Sequence, residues 1–215
     1  MKTGRPSLSR ERIVEAAIVL LDSAGEGGLT FRALSARLRT GAGAIYWHVA
    51  NKDELLAAAT SAVLAGVMDA EAPGGPEEAV RAVALGLFDA IDEHPWIGTQ
   101  LSRLASQTTT LRVFERLGQQ VRALGVLVEA QFDAASALLN YILGVAGQNA
   151  ANARTQEPGT SRADVLGEES AVWSSLDPGE FPFLRGVAAQ LRDHDDREQF
   201  LAGVNLILAG ISRHT

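Results

Sequence analysis

Cysteine is absent from the 215 residues, which removes disulfide scaffolds, thiolate metal sites and a thiol nucleophile together. Histidine is scarce as well. The four present (His48, His94, His194, His214) form no HExxH pair, so a zinc hydrolase has no ligand set to build on. No G-x-S-x-G elbow occurs, and Gly41-x-Gly43 follows a helical pattern and lacks the third glycine of a dinucleotide loop. Asp193, His194, Asp195 and Asp196 stand together but lie between two helical patterns, where a solvated turn is the better reading. Alternating β-branched runs of strand length are missing, and so is any internal repeat. The opening MKTGRPSLSRERIVEAA has no apolar leader region, so a cytoplasmic protein is expected. These absences disfavour enzymes, and no cofactor or metal is expected.

What is present is apolar and helical. Hydrophobic residues make up 47% of the chain, enough for a sizeable core. Ile13, Ala16, Ala17, Leu20, Leu21 and Ala24 follow the i, i+3, i+4 template, with Ser9 as N-cap and Gly25 as stop. Thr30 caps a short second helix that turns Phe31, Leu34 and Leu38 inward, and Gly41 with Gly43 marks a turn before a third. Asn51 and Glu54 form a capping box opening a longer helix over 53–70. Pro76 sits at the first turn of the next helix, with Glu77 and Glu78 complementing its dipole. Further helices are predicted over 96–105, 110–124, 131–153, 181–192 and 196–213, with 154–162 an exposed loop. The fold class is all-α: a three-helix helix-turn-helix head and a larger helical body.

The net charge of −7 is unevenly distributed. Residues 1–52 hold eight Lys/Arg against four Asp/Glu, a net +4, while the remainder holds 11 basic and 22 acidic side chains. A basic head on an acidic body suits a polyanion-binding module, because the body is repelled wherever the head is attracted.

Residues 134–153 carry no charge over twenty positions, about the length of a membrane span. Asn140, Gln148, Asn149 and Asn152 lie among them, so a buried soluble helix is the better reading. Small residues there and in the last helix (Ala137, Gly144, Gly203, Gly210) permit close helix approach. They fit a four-helix contact across a two-fold axis, or packing within one monomer.

The chemistry concentrates in residues 29–55, LTFRALSARLRTGAGAIYWHVANKDEL. Two short helices around a Gly-containing turn make a helix-turn-helix, whose second helix enters the DNA major groove. Tyr46, His48 and Lys52 can donate to phosphate oxygens, and Thr30 offers a hydroxyl at a helix N-terminus. Arg32 is long enough to reach a guanine edge.

This stretch resembles the DNA-binding domain of the tetracycline-repressor (TetR) family. The resemblance rests on Tyr46-Trp47-His48-Val49, on Asn51-Lys52-Asp53-Glu54-Leu55-Leu56 and on Gly28-Leu29-Thr30-x-Arg32-x-Leu34, about residues 9–56. It implies a homodimer binding successive major grooves of a palindromic DNA operator. It also implies a divergent helical body that dimerises and holds a small effector, whose binding releases the DNA. Repression is the usual mode of the family. Thr30, Tyr46, His48 and Lys52 then contact phosphates and Arg32 reads a base; Trp47 matches the motif and is equally suited to pack within the head. The domains are 1–52 (arm and helix-turn-helix) and 53–215 (ligand binding and dimerisation).

Two departures stand out. Family members commonly carry Gly where this chain has Arg39, and Pro or a polar residue near Gly43. Ala42, Gly43 and Ala44 occupy the base-reading positions with almost no hydrogen-bonding capacity, leaving at most contact with a thymine methyl. Specificity is therefore expected from Arg32, from DNA shape, and from an N-terminal arm whose Arg5 lies in a minor groove. A DNA binder without an effector is the competing reading, and a pocket separates the two. Its candidate lining is Phe88, His94, Trp96, Gln100, Phe114, Asn140, Tyr141 and Trp173, largely uncharged, pointing to a neutral, apolar effector. Each of these side chains also fits an ordinary core or helix-stop role.

Overall fold

The structure, a computed structural model, describes residues 8–69, 73–102, 108–155 and 161–212. Among them are eleven α-helices and no strand: α1 (Arg10–Gly28), α2 (Phe31–Leu38), α3 (Ala42–Tyr46), α4 (Lys52–Asp69), α5 (Pro76–Glu93), α6 (Trp96–Ser102), α7 (Thr108–Ala123), α8 (Val128–Thr155), α9 (Arg162–Ser175), α10 (Pro182–Arg192) and α11 (Asp196–Ile211).

The head is built as its pattern requires. The Ser9 side chain accepts from the Arg12 N–H at 3.3 Å, and Ile13, Val14, Ala16, Ala17 and Leu21 turn into the core. Gly25, with φ 62°, breaks the helical path at the expected stop, a conformation that glycine enters without a Cβ penalty. Thr30 caps α2 by accepting from Ala33 N–H at 3.1 Å. Leu29, Leu34, Ile45, Val49 and Leu55 close the head core at 0–1% exposure, each contributing about 1.5–3 kcal/mol relative to an exposed side chain.

Between α2 and α3 the chain turns through a Schellman-type closure. Thr40 N–H donates to Ser35 O at 3.0 Å and Arg39 N–H to Ala36 O at 3.3 Å, with Arg39 itself left-handed at φ 52°, ψ 48°. Arg39 is the single non-glycine residue with positive φ among the described residues.

At the start of α4, Asn51 Oδ1 accepts from Glu54 N–H at 2.8 Å, while Glu54 returns a carboxylate oxygen to Ala50 N–H at 2.9 Å. The capping box forms one residue offset from its ideal closure. The other Glu54 oxygen pairs with Arg10 at 2.9 Å, tying the starts of α1 and α4 together. One continuous apolar core runs from the head through α4 into the body, so α4 belongs to both.

In the body, α5 lies against α7, α8 and α11. The long α8 buries Ala135, Leu138, Ile142, Ala146 and Ala150 along one face. Its other face presents Ala137, Asn140, Gly144, Gln148 and Ala151 to solvent. The uncharged stretch is thus a two-faced helix, and no helix among the described residues is long and apolar enough to cross a membrane. Several helix limits differ from expectation by up to three residues, α8 for one beginning three residues earlier, and α9 occupies a segment that carries no helix in the sequence reading. Ser161 caps α9 by accepting from Asp164 N–H at 3.1 Å, but its apolar residues form no continuous stripe that would reveal it.

Candidate nucleic-acid interface

The start of α2 and the end of α3 meet through one aromatic contact. Phe31 and Tyr46 stack with centroids 4.4 Å apart and planes 10° from parallel. The stack gathers Thr30, Arg32 and Tyr46 at one end of the helix-turn-helix. Thr30 is exposed, and its hydroxyl accepts the Ala33 bond while keeping its own proton to donate. Arg32 is exposed and makes no hydrogen bond or ion pair within the described residues. Tyr46 is 53% exposed despite the stack.

Trp47 departs from one of the alternatives open in the sequence. It is 90% exposed, so the indole does not pack within the head, because Ile45 and Val49 already fill the core on either side of it. His48 is half-buried, and its backbone N–H closes α3 on Ile45 O at 2.9 Å. Lys52 is also half-buried: its ammonium donates to Glu26 O at 2.6 Å and so closes the end of α1. An ammonium has three protons, so this contact leaves donors for a phosphate.

Ala42 and Gly43 lie exposed at the start of α3, and Ala44 is half-exposed. Gly41 precedes them without a side-chain cap, and α3 is five residues long, so base-reading capacity is as bare in space as in sequence. Arg5 lies outside the described residues.

The eight candidate pocket residues do not line one cavity. His94 Nδ1 and Trp96 Nε1 both reach Asp22 Oδ1, at 2.7 and 2.8 Å, and Gln100 Nε2 donates to Glu26 at 3.2 Å. These three join body to head. Phe88 and Tyr141 stack on Phe200 from centroids 4.7 and 5.7 Å away, and Tyr141 donates to Phe200 O at 3.1 Å. Phe114 meets Phe132 edge-on at 5.9 Å, Asn140 is exposed, and Trp173 lies half-buried on α9. Ordinary packing and polar pairing thus account for most of the set.

A concavity of about 1150 Å³ lies instead among α8, α9 and α11, lined by Tyr141, Asn149, Arg162, Glu169, His194 and Gly203 among others. Its wall includes Asn149, whose amide nitrogen is buried with no hydrogen-bond partner among the described residues. Arg162 and His194 both converge on Asp196, and Asp195 caps α11 through Glu198 N–H at 2.7 Å. The acidic run thus forms a helix cap and an ion-paired turn. Of the four small residues, Ala137 and Gly144 face solvent. Gly203 has a role within the monomer, since a Cβ there would overlap the Tyr141 phenol. Gly210 is half-buried with open space where a Cβ would stand.

Residues 13–59 match the model for bacterial regulatory proteins of the tetR family, and residues 71–215 match the tetracyclin repressor-like C-terminal domain. The chain belongs to the TetR family. A transcriptional regulator from Streptomyces coelicolor, described as a TetR, is 55% identical and superposes with a TM-score of 0.88, covering 97% of this chain and 100% of its own. An HTH-type transcriptional regulator of Saccharopolyspora erythraea is 29% identical over 213 residues, 97% of this chain and 86% of its own length. The Streptomyces coelicolor TetR family protein ActR, solved in complex with actinorhodin, is 26% identical with a TM-score of 0.77, covering 96% of each chain.

In this TetR-family chain the joint between head and body carries no signature in the sequence. Asp22 and Glu26 lie on either side of the Gly25 break in α1, and nothing in the sequence names their partners, His94 at the end of α5 and Trp96 and Gln100 on α6.

Proposed function

We propose that this chain is a homodimeric transcriptional repressor that binds a palindromic operator through α2 and α3 and is released by a small molecule held in its body. The observation that carries the DNA-binding part is the exposed group Thr30, Arg32, Tyr46 and Trp47, assembled by the Phe31–Tyr46 stack on a head of net positive charge. Thr30, Tyr46, His48 and Lys52 hold phosphates and set register; Arg32 reads a base, while Ala42, Gly43 and Ala44 approach the groove floor. Trp47 is placed with the phosphate-facing set, because its exposed indole N–H can donate to a phosphate oxygen.

Dimerisation is assigned to the exposed faces of α8 and α11. Ala137, Asn140, Gly144, Gln148 and Ala151 on α8, and Ala202, Leu206 and Ala209 on α11, are uncharged and exposed, with Leu206 at 76%. Two uncharged helix faces side by side are suited to a four-helix contact with a second copy.

The effector is assigned to the helical body as a whole. The solved complex of ActR with actinorhodin supports a ligand-binding body, whereas the eight residues from which a neutral, apolar effector is expected are largely engaged elsewhere. The protein acts in the cytoplasm, where its DNA is, and not as an enzyme.

A titration at fixed salt tests this reading. Wild type binds a duplex selected from a random pool with an affinity that falls steeply as salt rises. Arg32→Ala loses discrimination at one position per half-site; intact discrimination in that variant contradicts the base-reading assignment.

A further inference from the structure

The head is attached to the body at two places. One is α4, which runs unbroken from Lys52 to Asp69. Leu55, Leu56 and Ala59 are buried in the head core, so α4 and the head form one unit that meets the body. The second attachment is polar and joins α1 to the end of α5 and the start of α6. Asp22 Oδ1 accepts from His94 Nδ1 at 2.7 Å and from Trp96 Nε1 at 2.8 Å; beyond the Gly25 break, Glu26 accepts from Gln100 Nε2 at 3.2 Å. Trp96 and Gln100 are 3% and 2% exposed, so in the folded chain the carboxylates, not water, satisfy their side-chain donors. The Glu26 backbone carbonyl also receives the Lys52 ammonium. Two carboxylates on the head are thus matched by three donors on the body.

The other side of α6 is fixed just as closely. A Cβ at Gly98 would stand 3.4 Å from Ile91 Cγ2 and 3.8 Å from the Gly147 Cα, so the backbones of α6 and α8 cross with little between them. Gly147 is followed in α8 by Gln148, which lies on the exposed, uncharged face. Head, α6 and the interface helix therefore form a stack: α1 bonded to α6, and α6 seated on α8. Trp96, Gly98 and Gln100 fall within about 6 Å of helix, so little of α6 lies between its two contacts.

We infer that Asp22 and Glu26 are positioning residues that set which half-site separation the dimer accepts, by fixing the angle of each head relative to α8 through α6. This rests on the DNA-binding and dimer readings above. The pair faces the body and touches no DNA. Its effect is geometric: half-site spacing mirrors the distance and orientation of the two heads, so loosening the joint widens the range of operators accepted.

The test uses the full-length protein and a series of duplexes. Two copies of the half-site selected by wild type are placed at the selected separation and at one and two base pairs either side. Wild type discriminates sharply among them. Asp22→Ala is expected to reduce the ratio between best and neighbouring spacers by about tenfold, within the usual range of coupling between sites, while leaving affinity for a single half-site unchanged. Trp96→Phe and Gln100→Ala each remove one donor from the body side alone and shift the ratio in the same direction by less. They decide the matter if Asp22→Ala does not fold. Arg197→Ala, which breaks an exposed pair with Asp89 away from the joint, leaves the ratio at the wild-type value. A folded Asp22→Ala protein with the wild-type spacing ratio overturns the inference and leaves DNA binding standing. Failure of wild type to select any DNA overturns the DNA-binding reading, and the inference with it.

Discussion

Phe31, the first residue of α2, lies flat against Tyr46, the last residue of α3, with centroids 4.4 Å apart. This contact links the two helices of the DNA-binding element at the end opposite their turn. Stacked aromatic pairs contribute about 0.5–1.5 kcal/mol beyond their buried area. Phe31→Ala is therefore expected to weaken binding to every duplex by a similar factor, with base preference unchanged. A change in preference without loss of overall affinity goes against the positioning role given to this stack.

Trp47 separates binding from folding. At 90% exposure it contributes little to the folded state, so Trp47→Ala should leave thermal stability within about 0.5 kcal/mol of wild type. The same variant should bind DNA less tightly, as measured by anisotropy at fixed salt. Lowered stability with full DNA affinity reverses the assignment.

Arg39 holds a left-handed backbone that costs an L-residue roughly 1–2 kcal/mol, whereas glycine enters it freely. Glycine has its own entropic cost, so Arg39→Gly is expected to stabilise the protein by a net ~0.5–1 kcal/mol. Chemical denaturation measures it directly. A destabilised Arg39→Gly protein means that the Arg39 side chain holds the turn by contacts that outweigh its backbone strain.

Tyr141 carries a pH signature. Burial pushes its phenol above the ordinary value of 10.0, because the anion is poorly solvated against Phe200 and α11. The unfolded chain therefore releases this proton first as pH rises. The stability associated with the protonated phenol is complete below pH 10.0 and is lost as pH climbs through the raised folded value. Tyr141→Phe should lose the bond to Phe200 O, lowering stability by about 0.5–1.5 kcal/mol at neutral pH, and should flatten the alkaline limb. Identical alkaline limbs in both proteins contradict the burial argument.

Gly144 faces solvent, with nothing near the place a Cβ would occupy. Gly144→Glu should leave the monomer folded by circular dichroism while the dimer dissociates in sedimentation, because a charge then sits in an uncharged face. A dimer of undiminished stability moves the interface elsewhere.

Much of this architecture was legible in the residues. Ser9, Thr30, Asn51 and Pro76 announce helix starts through local chemistry that tertiary packing did not override. The exposure of Thr30, Arg32 and Tyr46 at one end of the helix-turn-helix follows from one short stretch of sequence in the same way. The body was read less well. His94, Trp96 and Gln100 look like pocket lining in one dimension, because nothing local reveals that two carboxylates some 74 residues earlier accept their protons. The absent α9 has a similar cause: it packs chiefly on α10, and a small helix hairpin needs only Leu166 and Ser170 buried on that segment, too few to show a period.

The claim that matters most is that two heads, held by α8 and α11, grip two half-sites at once. Selection of duplex DNA from a random pool by the full-length protein, followed by the mass of the complex in solution, tests it directly. The account predicts an inverted repeat with half-site centres about one helical turn apart, or a multiple of it, bound by two chains. A single unrepeated site bound by one chain, or no enrichment over the starting pool, contradicts it.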